Sequence, residues 1–338
     1  MIANFLNVEN SLTGKKWVGP TEATSRIATG LAQTNKISDL LANILVNRGA
    51  EKENISAYLS PKLKNLIPDP SSLQDMDKAI ARIMLAIKEN ESVAIFADYD
   101  VDGAASAALM HQWLMHFKLK PTIYVPDRIR EGYGPNIEAM NQLSQKNSLI
   151  ICVDCGTVSL EPIEVAKQNN CDTIIIDHHL STPALPKAIA VVNPNRYDEH
   201  SDFTYLCAAG VLFVMLVGLN RAMRKISLKG PELIPFTDLV ALATIADVAP
   251  LTGLNRAFVR TGLKVMATRK RPGLVALTDI SGMRSSPNTN DLGFVLGPRL
   301  NAGGRIGKAD LAVKLLIEKN EIIANSIASE LNNLNDER

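Results

Sequence analysis

Residues Val93-Ala94-Ile95-Phe96-Ala97-Asp98-Tyr99-Asp100-Val101-Asp102-Gly103 set five apolar side chains in an unbroken run, then three aspartates at alternate positions, then a glycine. A short run that is apolar throughout, rather than alternating, is the pattern of a strand buried on both faces. The glycine permits a sharp entry into a following helix. The same grammar recurs downstream. Apolar runs at 122–125, 149–153, 173–176 and 190–192 alternate with helical spacing at 104–118, 136–145 and 161–168. Strand–helix–strand alternation predicts an α/β fold, a mostly parallel buried sheet flanked by helices.

The rest of the chain frames this region. Residues 1–75 read as a helical lead-in, with Leu40, Leu41, Ile44 and Leu45 on one stripe of a helix over 37–47. Residues 76–88 read as an amphipathic helix facing inward through Ile80, Ile83, Met84 and Ile87. After Leu206 the pattern is mostly helical, at 207–227, 236–247, 254–268 and 308–333. The expected organisation is a lead-in over 1–75, an α/β domain over 76–307 and the start of a linker helix over 308–338.

Composition narrows the function. The chain has 338 residues, 36 Lys and Arg against 35 Asp and Glu, and a net charge of +1. That balance argues against a uniformly basic nucleic-acid binder. A hydrophobic content of 46% with 21% charged residues argues against disorder. The longest apolar run, Leu206 to Leu219, is too short to span a bilayer. No signal peptide is visible, so the reading is a cytoplasmic protein with no membrane partner. Cys152, Cys155, Cys171 and Cys207 make no disulfide framework. The lone Cys152-x-x-Cys155 raises a redox or zinc reading, against which stands that of buried small hydrophobes.

Acidic clusters fall just past the apolar runs. Asp98, Asp100 and Asp102 follow the first, Asp154-Cys155-Gly156 the third, and Asp177-His178-His179 the fourth. In an open parallel sheet, ligands bind at the carboxyl ends of the strands, so these clusters should converge on one rim. Any single aspartate there could be a helix cap or turn residue. Several carboxylates on one rim repel one another, and divalent cations would neutralise them. Aspartate oxygens with an imidazole nitrogen suit Mn²⁺ or Mg²⁺. Two such ions could clamp the attacking and leaving oxygens of a phosphoryl centre.

These clusters, with Thr244-Ile245-Ala246-Asp247-Val248-Ala249-Pro250, resemble the four motifs of the DHH phosphoesterase family. Asn47-Arg48-Gly49, Asp75-Met76-Asp77-Lys78-Ala79, Glu131-Gly132-Tyr133-Gly134 and the block from Gly297 to Arg305 bring the resemblance to RecJ-type single-stranded-DNA exonucleases. It runs from about residue 40 to the C-terminus. It implies that Asp100 and Asp102 ligate different metals, that Asp154 bridges both, and that His178 and Asp247 complete one of them. Asp98 would support the other. His179 would face the scissile phosphate, so that His179, Asp154 and Asp102 carry catalysis. Related pyrophosphatases place a histidine where this chain has Phe96. The implied cofactor is two Mn²⁺ ions, with Mg²⁺ possible. The implied partner is single-stranded DNA, with a helicase or single-strand-binding protein expected by family only.

The substrate side is sought in local basic charge. Ten lysines and arginines lie between Arg256 and Lys308, opposed only by Asp279 and Asp291. Arg299, Asn301, Gly303, Gly304 and Arg305 stand in a glycine-rich block where backbone and guanidinium could grip phosphate. Arg128 and Arg130 are further candidates, and Tyr133 could stack on a base or pack. His111, His116 and His200 read as structural. The leading expectation is a metal-dependent 5′→3′ exonuclease on single-stranded DNA releasing 5′-mononucleotides, in DNA repair and recombination. The alternatives are a phosphodiesterase on short oligonucleotides or cyclic dinucleotides, and a catalytically weak nucleic-acid-binding fragment. The family's further domain, carrying a Gly-Gly-His motif, and its oligonucleotide-binding barrel are not in these 338 residues, so weak, poorly processive activity is expected of them alone.

Overall fold

A computed structural model describes residues 4–50, 55–304 and 308–337. The chain divides into two compact units, Met1–Asn65 and Leu66–Arg338. In the first, α1 (Glu22–Asn35) and α2 (Asp39–Asn47) are capped by Thr21 and Ser38, whose hydroxyls accept from Thr24 N and Leu41 N. They enclose Ala28, Leu31, Ala32, Ala42 and Leu45 together with Ile55 of the short α3 (Ile55–Leu59). The stripe expected on α2 is out of phase: Leu40 and Ile44 are exposed, and Ala42 and Leu45 are buried. The small Ala42 lets two helices approach, and hydropathy gives it little weight. A short α4 (Leu63–Leu66) spans the division.

The second unit opens with α5 (Met76–Lys88), which buries Met76, Ala79, Ile83 and Ala86. Ile80, Met84 and Ile87 flank that line, half-buried. Five strands follow: β1 (Val93–Ala97), β2 (Thr122–Tyr124), β3 (Leu149–Val153), β4 (Asp172–Ile176) and β5 (Ala190–Val192). All pair in parallel in the order β2-β1-β3-β4-β5. β1 and β3 are buried along their whole length, as their continuous apolar runs require. Side chains alternate between faces. Ala94, Phe96, Ile150, Cys152 and Ile175 meet Met140 and Leu143 of α7 (Ile137–Ser144) and Ile163 and Ala166 of α8 (Leu160–Gln168). The other face is covered by α5, α6 (Val101–His116) and α9 (Ala208–Lys225).

This strand order fixes where a ligand can sit. The chain runs from β1 outward to β2, then returns to the other side of β1 as β3. The crevice beyond the carboxyl ends of β1 and β3 is the topological switch point of the sheet.

The helical remainder contains α10 (Thr237–Ala246), α11 (Gly253–Met266), α12 (Pro272–Ile280), the short α13 (Thr289–Asp291), a π-helical turn over Leu292–Leu296, and α14 (Gly297–Gly303). The helix expected over 308–333 is two helices, α15 (Leu311–Ile317) and α16 (Glu321–Asp336). Asn320 divides them, its side chain accepting from Ile322 N and Ile323 N to start α16. α15 packs on α6, and α16 packs on α12 and α14 through Ala324, Ala328 and Leu331.

Candidate metal centre

Three strand ends deliver the acids to one rim. Asp98, Asp154 and Asp177 each extend the ladder by one residue, through Asp98 N to Val153 O, Asp154 N to Ile176 O and Asp177 N to Val192 O. Asp100 then caps α6, its Oδ1 accepting from Asp102 N and Gly103 N. The cap reading of that aspartate is therefore correct, and one oxygen remains for other work. Gly103 is obligatory at this turn, because a Cβ there would collide with the carbonyl of Asp98. Asp102 is buried, and the first turn of α9 holds both its oxygens through Ala208 N (2.6 Å) and Ala209 N (2.8 Å). Asp247 arrives from the end of α10.

Among the described residues, three groups could each hold a cation: Asp98, Asp100 and Asp154; Asp102, His178 and Asp247; and Asp154, His178 and His179. Within each group one donor atom per residue lies within 4.8 Å of the others. Asp154 is common to two groups, in keeping with a bridging ligand. It has a left-handed φ of 62°, a strained conformation of the kind that clusters at functional sites. Both its carboxylate oxygens are buried without a hydrogen-bond partner, as is Oδ1 of Asp98. His178 Nε2 lies 3.2 Å from Asp154 Oδ1 but is not aligned to bond it. Orphaned buried anionic oxygens are costly unless a cation or proton satisfies them, so the donor set fits divalent ions.

Electrostatics points the same way. Burial, and then the charge of Asp100, pushes Asp98 up to about 7. Burial with Asp100 and Asp247 pushes Asp102 up to about 8, and burial with Asp100 pushes Asp247 up to about 6. Burial and Asp102 raise Asp154 well above the carboxylate range. Burial and the neighbouring His179 lower His178, which keeps its imidazole neutral and able to ligate. Phe96 is buried and stacked on Tyr124 at 5.4 Å, a core residue that offers no donor.

Asp177 does a different job. Burial alone would raise it, but hydrogen bonds from His179 and Thr157 hold it at about 2. Its Oδ1 lies 2.7 Å from His179 Nδ1 and accepts from His178 N and His179 N, and its Oδ2 accepts from Thr157 N. That bond raises His179. Asn193 donates to His179 O and Asn195 to His178 O, so the loop after β4 is pinned by the residues after β5. Sequence reasoning passed over Asn193 and Asn195. The available signal was their place, just beyond a fifth apolar run.

The expected substrate residues divide. Tyr133 stands over the cluster, its hydroxyl 3.2 Å from His179 Nδ1 and 3.3 Å from the Asp154 carbonyl. Arg128 lies over the Tyr99 ring at 5.2 Å, and Arg130 is exposed on the same loop. Arg299 is turned inward instead, donating to Asn332 Oδ1 and Val295 O. Gly303 and Gly304 are closely approached by protein backbone: a Cβ on Gly303 would meet Lys308 O at 2.7 Å, and one on Gly304 would meet Tyr99 O at 3.0 Å. Asn301 is partly buried, with an unpartnered Oδ1. Arg305 lies outside the described residues. Much of the basic stretch is consumed internally, Arg269 by Asp279, Arg271 by Asp238 and Lys308 by Glu330.

All four cysteines are free and buried, and burial pushes the Cys152 and Cys155 thiols up, so neither has thiolate character. Among the described residues no helix is long and apolar enough to cross a membrane.

Comparison with known proteins gives a consistent result. Residues 92–244 match the model of the DHH family, N-terminal domain. The single-stranded-DNA-specific exonuclease RecJ of Bacillus subtilis (strain 168) is 37% identical over 311 residues, covering 91% of this chain and 38% of that protein. A crystal structure of exonuclease RecJ bound to manganese matches with a TM-score of 0.72 at 29% identity, covering 80% of this chain and 67% of the other. RecJ from Thermus thermophilus matches in complex with Mn²⁺ (TM-score 0.77, 26% identity, 94% of this chain and 44% of that one). Its complex with Mg²⁺ matches too (TM-score 0.66, 25% identity, 94% and 41%). The chain therefore spans well under half the length of the Bacillus relative.

Proposed function

We propose, on the match of residues 92–244 to the DHH family, that the chain is a member of that family and the catalytic part of a metal-dependent exonuclease acting on single-stranded DNA. The observation that carries this reading is the buried carboxylate cluster at the switch point, with both Asp154 oxygens unpartnered. Asp98, Asp100 and Asp154 would hold one divalent ion, and Asp102, His178 and Asp247 the other, Mn²⁺ or Mg²⁺ as in the relatives. Such ions supply charge neutralisation at a phosphodiester and a nucleophile at neutral pH.

The chain's own residues do the rest. The α9 N-terminus fixes Asp102, and the Asp100 cap fixes the turn that carries it. His179 is held by Asp177 with a proton on Nδ1 and a raised pKa, so its more exposed ring can bind the scissile phosphate or protonate the leaving oxygen. Tyr133 limits the movement of that ring. Arg128 and Arg130 lie on the loop that would meet the strand's phosphates. The free, buried cysteines suit a reducing compartment, and we place the protein in the cytoplasm, where a helicase or single-strand-binding protein would present the strand.

Digestion of 5′- and 3′-labelled single strands with Mn²⁺, Mg²⁺ or chelator tests the reading. Mononucleotides are expected from the 5′ end, with none in chelator. Release that persists in chelator, or internal cuts alone, would sink it. A preference for dinucleotides over long strands would favour the oligonucleotide phosphodiesterase instead. Asp177→Asn tests the positioning of His179: turnover should fall by about 10–100-fold, the usual cost of losing an orienting partner. Stabilisation of the protein by Mn²⁺ should survive, and a variant that also loses it would show Asp177 to be a ligand.

A further inference from the structure

The loops that carry the two histidines and Asp247 each continue into a large apolar side chain turned to solvent. Leu180 follows His179 and is 83% exposed, and Val248 follows Asp247 and is 86% exposed. Phe294, 77% exposed, lies in the π-helical turn. That turn packs on the end of α10: a Cβ on Gly293 would lie 3.3 Å from Ile245 Cγ2, and one on Gly297 3.6 Å from Ala246 Cβ. Exposed apolar residues scattered singly are ordinary. Here two of them directly follow residues of the acid and imidazole cluster, and the third lies on a turn packed against the helix end that carries Asp247.

Each is held in place. Ser181 N donates to Asn195 O and Tyr197 N to Ser181 Oγ, so the backbone on both sides of Leu180 is bonded to the Asn193–Asn195 segment. Val248 has φ +57°, a conformation that a β-branched residue adopts only under constraint. A glycine or asparagine would sit there without strain, so the backbone gives no reason for valine. The π-turn beneath Phe294 is a form of helix that recurs at functional sites.

We infer that Leu180, Val248 and Phe294 form an apolar rim that receives the bases of the nucleotides flanking the scissile phosphate. The inference rests on the nuclease reading above and adds a source of its strand specificity. Unpaired nucleotides offer their base faces to such a rim, whereas a duplex keeps those faces stacked inside. Apolar side chains read no hydrogen-bonding edge, so contact would be indifferent to sequence.

The test is binding of a labelled 12-nucleotide single strand, the same strand with abasic residues at its 5′ end, and the duplex, followed by anisotropy with Ca²⁺. Leu180→Ser and Val248→Gly are the variants, the first at an exposed position and the second suited to the positive φ. Each should weaken the natural strand by roughly three- to tenfold, the scale of losing a partly buried aliphatic contact, and leave the abasic strand unchanged. Equal losses on both strands, no loss on either, or no binding of the single strand by the native protein would overturn the rim. Nucleotide release with Mn²⁺ is followed in parallel. Base-dependent binding without release would overturn the nuclease reading alone, and equal release from natural and abasic strands would overturn the rim alone.

Discussion

Asp154→Asn abolishes Mn²⁺-dependent hydrolysis, by about 10³-fold or more, and raises the thermal midpoint of the metal-free protein at pH 8. The two effects have one cause. Asp154 is buried beside Asp98, Asp100, Asp102 and Asp177, and each of those charges pushes its pKa up. No hydrogen bond offsets them at either oxygen. Without a cation the folded state must therefore retain a proton on Asp154 or bear the repulsion. Asparagine keeps the shape and removes the charge, and it gives the surrounding carboxylates an N–H donor. It also removes the ligand common to two of the three donor groups. A site kept for chemistry at the expense of stability behaves in this way. Nucleotide release from a labelled strand and melting in chelator measure the two arms. Turnover within tenfold of native, or a lower metal-free midpoint, would show that Asp154 is a structural residue.

The sheet was legible because doubly buried strands leave nearly continuous apolar runs, and β1 and β3 begin and end where those runs do. The acids were legible as a set: one aspartate at a strand end can be a cap, as Asp100 is, but acidic clusters after three strands of one parallel sheet must share a rim. The amides were not: Asn193 and Asn195 fix the histidine loop through neutral hydrogen bonds, which leave no mark on charge or hydropathy. The glycines between Gly297 and Gly304 have a second use that their sequence does not distinguish. A missing Cβ serves close helix packing as well as phosphate approach, and here α14 uses it against Lys308 and Tyr99. Arg299 is ambiguous likewise, since a guanidinium that could fork onto phosphate also ties α14 to Asn332 of α16. Leu180 lies just past the Asp177-His178-His179 cluster and Val248 within the Thr244–Pro250 motif, and neither carries the charge that marks its neighbours.

Binding of Mn²⁺ should stabilise this protein, and more at pH 8 than at pH 5. Burial and mutual repulsion push Asp98 up to about 7, Asp102 to about 8 and Asp247 to about 6, and raise Asp154 well above the carboxylate range. In the unfolded chain all four fall near the ordinary aspartate value of about 3.9. Between pH 4 and 8 the folded state thus binds more protons than the unfolded one, and the slope of stability against pH is negative. Metal-free protein should lose stability across that window. A divalent ion takes the place of those protons, so its advantage grows as they leave. At a hundredfold excess over Kd the gain is about 2.7 kcal/mol, or roughly 5–10 °C for a unit of this size. Melting curves at pH 5, 6, 7 and 8 with Mn²⁺ or chelator provide the check. A metal-free midpoint that rises from pH 5 to 8, or a Mn²⁺ shift that is larger at pH 5, would mean that the carboxylates are already satisfied without a cation. In Asp154→Asn the shift should shrink at every pH, because that ligand is common to two of the three donor groups.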